Sequence, residues 1–343
     1  MPSTKIAGTG MYVPENIVTN ADLAAVMETS DAWIKERTGV AERRYALRYR
    51  DSTSSLGVNA AKMAIENSGI TNADIDFIIF ATLSPDYYFP GCGVLLQRSM
   101  NMGEIPALDI RNQCSGFLYG LSVGDQFIKT GMYKNILLVG AEIHSYGLDY
   151  SNAGRHISVI FGDGAGAVVL QPTEKKGQGI LSTHLHSDGK NAEILSMINP
   201  GFHGGVHDEN KKPPAPHQPY GNFFAMENPH PQMDGPAVFK KAAEKMPEAV
   251  MEALRTNNLQ PSDIDLLIPH QANLRISQAL QQKLGLSDAQ VYNNIQRYGN
   301  TTAASIPIAL CEAWQQGKIK EDDLVCFTAF GSGFTWGSAL VRW

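Results

Sequence analysis

Of the four cysteines in the 343-residue chain, Cys114 has the setting of a nucleophile. It lies in Asn112-Gln113-Cys114-Ser115-Gly116-Phe117, between a short apolar run and a helical stretch. At a helix start, unpaired backbone N–H groups and the positive dipole end favour thiolate over thiol. The competing reading is a small buried hydrophobe, the fate of most free cysteines. Cys92, Cys311 and Cys326 lack a comparable setting and read as packing residues. His270 follows the strand-like Asp265-Leu266-Leu267-Ile268, at the end of a strand where α/β proteins commonly place ligand sites. Read alone, a histidine is more often structural than catalytic. Asn300, in Tyr298-Gly299-Asn300-Thr301-Thr302, precedes another helical stretch and also spells Asn-x-Thr. Glycosylation is moot in an unsecreted protein, whereas an amide donor aimed into a cavity can stabilise developing negative charge.

The elements that must position these residues follow from composition and period. Hydrophobic residues make up 43% and charged residues 18%, with 32 Gly and 18 Pro, enough to bury a sizeable core and carry many tight turns. A net charge of −6 makes the molecule as a whole a poor match for nucleic acid or anionic lipid. The segment Met1 to Gly8 has no apolar signal-peptide core, and no apolar run approaches the roughly 18 residues of a membrane span. The widely spaced cysteines, with no C-x-x-C pair, speak against a disulfide framework or a structural zinc site. A soluble cytoplasmic protein is expected.

Runs at 76–81, 106–110, 136–140 and 165–170 read as buried strands. The stretch Ser115 to Thr130 reads as a helix with Phe117, Leu121, Gly124 and Ile128 on its buried face, stopping at Gly131. Ala60 to Asp76 recurs 189 residues later, each copy ending in Asp-Ile-Asp before an apolar strand. Phe161-Gly162-Asp163-Gly164 recurs as Phe330-Gly331-Ser332-Gly333. Two duplicated halves are therefore expected, 1–172 and 173–343. Matching the helix ends Lys129-Thr130-Gly131 and Gln315-Gln316-Gly317 gives an offset of 186 and sets Cys114 opposite Asn300. The stretch Asn199 to Gly235 is rich in Pro, Gly, His and Asn, has no period, and reads as an insertion. Its histidines, His203, His207, His217 and His230, match no metal-site spacing, and no metal is expected. Gly8-x-Gly10 is too short for a dinucleotide motif.

Four segments together carry a family resemblance: Asn112 to Phe117, Pro269 to Ile276, Gly299 to Pro307 and Phe330 to Gly337. In order and spacing they resemble the signatures of β-ketoacyl-[acyl-carrier-protein] synthase III. With Ser30 to Ile34 and Phe161 to Gly166, the likeness spans nearly the whole chain except the insertion. It implies an α/β, thiolase-like, five-layered αβαβα fold of two pseudo-repeated halves, usually a homodimer. It implies Cys114 as nucleophile, His270 and Asn300 as donors to an enolate oxygen, and the backbone N–H groups of Cys114 and Ser332 as an oxyanion hole. The substrates implied are an acyl-CoA and malonyl-acyl carrier protein; coenzyme A enters as a thioester substrate and no cofactor is called for. Trp33, Arg37, Arg155 and Asn273 match positions that bind coenzyme A, Arg275 a position that docks the acidic carrier protein, and Phe89 one that reaches across the dimer to shape the acyl pocket.

The chain also departs from that pattern. Ser332 replaces a glycine common in the loop, His156 follows Arg155 where a glycine is common, and Pro236 stands where an asparagine is often found. The insertion ends where the family's tunnel opens. These departures keep open a secondary-metabolite synthase with a different starter or acceptor. A non-catalytic carrier-protein scaffold is disfavoured because Cys114, His270, Asn300 and the glycine loop are all present.

Overall fold

The computed structural model describes residues 2–197 and 230–343, so His203, His207, His217 and most of the 199–235 segment lie outside the described residues. The strands are β1 Ser3–Tyr12, β2 Ile17–Thr19, β3 Glu42–Arg44, β4 Phe77–Ala81, β5 Ala107–Ile110, β6 Ile136–Glu142, β7 Gly164–Thr173, β8 Gly179–Ser187, β9 Leu195–Ser196, β10 Gln232–Met233, β11 Leu266–Pro269, β12 Leu324–Gly331 and β13 Thr335–Arg342. The helices are α1 Asn20–Ala24, α2 Asp31–Thr38, α3 Thr53–Ser68, α4 Cys92–Ser99, α5 Gly116–Lys129, α6 Arg155–Ser158, α7 Gly235–Thr256, α8 Leu274–Leu284, α9 Ile295–Tyr298 and α10 Ser305–Gln315.

Two sheets dominate. The first has the order β1-β7-β6-β4-β5 and the second β11-β12-β13-β8. In the second, an isolated parallel bridge from Leu267 to Val291 flanks β11 as β5 flanks β4. Alternation along the strands separates the layers, because successive side chains point to opposite faces. Ile79 and Leu138 face the central core with Phe117 and Leu121 of α5 and Ile306 and Leu310 of α10. Ile78, Phe80, Leu137 and Val139 face the outer layer, with Leu56, Ala60 and Ala64 of α3. Leu267, Cys326 and Leu340 of the second sheet face Met246 and Val250 of α7 and Leu280 of α8. The result is helix, sheet, helix, sheet, helix, a five-layered thiolase-like α/β fold.

Gly8 and Gly10 have a packing purpose: a Cβ there would lie 2.3 Å from the Ala64 carbonyl oxygen and 2.1 Å from that of Ala60, so only glycine lets α3 lie on β1. One strand differs from expectation. The 106–110 run forms β5, but as a sheet edge with Leu108 37% exposed rather than as a buried strand. Among the described residues, no helix is long and apolar enough to cross a membrane.

The halves correspond at an offset of 189, not 186. The 3₁₀ turn Gln113–Ser115 before α5 matches Thr302–Ala304 before α10, and each opens on a non-glycine residue at positive φ, +42° at Gln113 and +51° at Thr302. Cys114 therefore corresponds to Ala303. The helix ends misled because α5 has 14 residues and α10 only 11.

Candidate active site

Cys114 sits in the turn leading into α5, buried against the β12–β13 hairpin. A Cβ at Gly331 would lie 2.7 Å from the Cys114 Cβ, so glycine lets the hairpin approach this closely. Ser115 Oγ and Thr335 Oγ1 lie 2.7 Å apart and pin turn to hairpin, and Thr335 Oγ1 also donates to the Ser332 carbonyl at 3.0 Å. The Ser332 hydroxyl donates to the Leu195 carbonyl, so the residue that departs from the glycine pattern ties the loop down. The N–H groups of Ser332 and of Cys114 itself favour the thiolate, but burial outweighs them, reinforced by the nearby Glu142 carboxylate, and pushes the thiol up to about 12. At this turn desolvation outweighs the short-range dipole effect expected at a helix start.

Glu142 ends β6. Burial lifts its carboxyl to about 7 even though Thr82 and Ser84 hydroxyls and the Leu83 and Ser84 N–H groups donate to it.

His270 follows β11, its N–H donating to the Thr328 carbonyl at 2.8 Å. Its Nδ1 lies 2.6 Å from Ser305 Oγ, at the start of α10. That hydroxyl oxygen also accepts the Gln271 N–H at 3.4 Å, and its own hydrogen is free to be donated to Nδ1. In that tautomer the ring carries its proton on Nε2, which is buried and has no hydrogen-bond partner among the described residues. Burial lowers the imidazole to about 3, so the ring is neutral near pH 7. Asn300 is held by its backbone, its N–H to the Ile160 carbonyl at 2.9 Å and its carbonyl to the Gly162 N–H at 3.1 Å. Its side-chain Oδ1 accepts the Thr302 N–H at 2.8 Å, leaving the NH₂ group as the donor it offers.

Cys114, His270 and Asn300 line one cavity of about 800 Å³. From these buried residues the cavity runs to Arg37 and Arg275, which are solvent-exposed. Met233, Asp234, Gly235 and Pro236 form part of its wall, so the described end of the 199–235 segment borders the site. His230, in the same stretch, has Nδ1 3.0 Å from the Gly147 carbonyl oxygen.

The other anticipated positions divide. Trp33, Arg37 and Asn273 line the cavity; Phe89 is 81% exposed and is not among the lining residues. The guanidinium carbons of Arg37 and Arg155 lie 4.5 and 5.5 Å from the Trp33 ring centroid, and His156 packs on the same indole at 5.7 Å. Asn273 is already engaged: it caps α8 by accepting the Arg275 N–H at 2.9 Å and donates to the Arg37 carbonyl at 2.9 Å. Arg275 is solvent-exposed near the Phe239 ring.

Sequence reasoning missed Ser305, Thr302 and Asp163 as organisers of the site. Asp163 accepts the N–H groups of Ala46, His144 and Ser145 and the Ser145 hydroxyl. The signal for it was present in the repeated Phe-Gly-x-Gly pattern; Ser305 and Thr302 gave none beyond lying in the Asn300 segment.

Family models for 3-oxoacyl-[acyl-carrier-protein] synthase III match residues 108–189, and for its C-terminal part residues 254–343. The chain is 42% identical over 339 residues to the β-ketoacyl-[acyl-carrier-protein] synthase III of Caldanaerobacter subterraneus subsp. tengcongensis, covering 98% of this chain and 97% of that one. It is 44% identical over 343 residues to that of Rhodospirillum rubrum, covering 98% of each. Among solved structures, the 3-oxoacyl-[acyl-carrier-protein] synthase III of Aquifex aeolicus VF5 superposes with a TM-score of 0.88 at 40% identity, over 99% of this chain and 100% of that one.

Proposed function

Because the chain belongs to the β-ketoacyl-[acyl-carrier-protein] synthase III family, we propose that Cys114 takes an acyl group from an acyl-CoA and passes it to malonyl-acyl carrier protein, starting fatty-acid synthesis. The observation that carries this reading is one cavity holding a thiol flanked by two N–H groups, a neutral histidine whose Nε2 has no partner among the described residues, and an amide donor.

In the first half-reaction the Cys114 sulfur attacks the thioester carbonyl, and the N–H groups of Cys114 and Ser332 receive the oxyanion. The C–S bond to coenzyme A breaks, and the proton lost by Cys114 ends on the coenzyme A sulfur. In the second, the malonyl thioester loses carbon dioxide; His270 Nε2–H and the Asn300 amide donate to the enolate oxygen, stabilising charge that appears only as the reaction proceeds. The enolate carbon then attacks the acyl-Cys114 carbonyl, and the Cys114 sulfur leaves. This chemistry asks for no metal or redox cofactor.

The cationic cluster around Trp33 suits the adenine and phosphates of coenzyme A through Arg37 and Arg155, with Asn273 beside the pantetheine arm. Exposed Arg275 suits an acidic carrier protein. The edge of β5, unpaired among the described residues, with its exposed Leu108 and with the exposed aromatics Tyr87 and Phe89, suits pairing with a second copy, which would let Phe89 reach the partner's acyl pocket. Four buried, unpaired cysteines suit a reducing cytoplasm. A secondary-metabolite role is not favoured, since relatives at 42 and 44% identity over the full length are named β-ketoacyl-[acyl-carrier-protein] synthase III.

The test is intact-mass measurement after incubation with a panel of acyl-CoAs, followed by addition of malonyl-acyl carrier protein. We expect a one-acyl gain on the wild type, none on Cys114→Ala, and discharge to a β-ketoacyl product. No covalent gain with any acyl-CoA would overturn the reading.

A further inference from the structure

A second buried histidine stands behind the site. His144 follows β6, 9% exposed and pinned from three directions. Its backbone N–H donates to Asp163 Oδ1 at 2.7 Å, its ring packs on Phe161 with centroids 4.5 Å apart, and its Nε2 lies 2.6 Å from Thr302 Oγ1. Burial, with His270 as a lesser cause, lowers the imidazole to about 3, so it enters this contact uncharged near pH 7.

Thr302 gives the contact its purpose. Its φ is +51°, in the left-handed region that β-branched residues rarely adopt and keep only when their surroundings over-determine it. Three hydrogen bonds hold it there: the side chain to His144 Nε2, the N–H to Asn300 Oδ1, and the carbonyl, which accepts the Ser305 N–H. The second of these bonds orients the Asn300 amide. Releasing the Thr302 side chain lets its φ relax, and the N–H that aims Asn300 turns with it.

We propose that His144 is a positioning residue for the decarboxylating half of the reaction, acting through Thr302 to hold the Asn300 amide against the enolate oxygen without itself touching substrate. This rests on the reading of Cys114 and Asn300 given above. The competing role, a ring that merely fills space beside cavity-lining Phe161, makes a different prediction: replacing the ring would disturb acylation and starter selectivity instead.

The two half-reactions separate them. Acylation of Cys114 is followed by intact mass with a short acyl-CoA, and decarboxylation by carbon dioxide release from malonyl-acyl carrier protein. The variants are His144→Leu, His144→Gln, whose amide nitrogen reaches the position of Nε2, and His144→Asn, whose amide does not. We expect all three to acylate within about threefold of wild type. Leu and Asn should lower kcat for decarboxylation roughly 10- to 100-fold with KM little changed, the scale set by a misplaced oxyanion donor, while Gln restores it to within about threefold. Equal behaviour of Asn and Gln, parallel loss of both half-reactions, or unimpaired decarboxylation would each overturn the proposal. If His144→Leu does not fold, the Asn and Gln pair decides. Absence of acylation in the wild type would instead refute the underlying function.

Discussion

Gly331→Ala is the sharpest probe of how the nucleophile is held. A Cβ at this position would lie 2.7 Å from the Cys114 Cβ, 3.1 Å from its nitrogen and 3.3 Å from its Cα. Carbon atoms pack at about 3.5–4.0 Å, so turn and hairpin must part by about 1 Å. Gly331 is paired with Thr335 across the hairpin, and Thr335 in turn grips Ser115. The displacement therefore falls on Cys114 or on the loop bearing the Ser332 N–H, and either separates sulfur from oxyanion donor. A misplacement near 1 Å costs about 100-fold in rate, and removing one such donor costs about 100- to 1,000-fold. We expect the rate of Cys114 acylation, followed by quenched-flow intact mass with a short acyl-CoA, to fall roughly 100-fold. Overpacking should also cost about 1–3 kcal/mol of stability, read by denaturant unfolding. Gly103→Ala is the control, since none of the described residues lies within 4 Å of its added Cβ and both readouts should stay at wild-type values. A folded Gly331→Ala enzyme acylating within about threefold of wild type would refute this account of the oxyanion hole.

Ser305→Ala leaves His270 Nδ1 buried without its 2.6 Å partner and frees the ring to move its proton off Nε2. Decarboxylation should fall about tenfold or more while acylation holds, with Ser305→Thr restoring it; unchanged decarboxylation would show that the hydroxyl does not set the tautomer. The lowered His270 value sets the direction of a pH experiment: its folded-state proton binds only as pH falls toward about 3, so its ring ¹⁵N shifts should stay flat from pH 8 to 5. A midpoint near the ordinary value of about 6.5 would contradict the burial argument.

Features governed by local forces were legible in the sequence. Continuous apolar runs bounded by turn residues marked β4, β6 and β7, and a four-residue apolar spacing ending at Gly131 marked α5, because backbone pairing and side-chain period are short-range properties. The same holds for the placement of Cys114, His270 and Asn300 at the ends of elements. Exposure of β5 was not legible, since an apolar strand reads alike at the edge and centre of a sheet. Of the two offsets the sequence offered, the helix ends gave the wrong one because they drift with helix length, whereas the turns with positive φ at Gln113 and Thr302 keep the 189-residue offset of the Asp-Ile-Asp repeat.

By itself, then, the chain's order of residues determined which side chains could react and on which kinds of element they stand. Only the tertiary structure decided how they are tuned. Ser115 meets Thr335 across 220 residues, His144 meets Thr302 across 158, and His270 meets Ser305 across 35. Those contacts exist because two sheets clamp α5 and α10 between them, and the same burial that brings them together raises the Cys114 thiol and keeps His270 neutral. Desolvation is a property of the assembled interior, and no local stretch of sequence carries it.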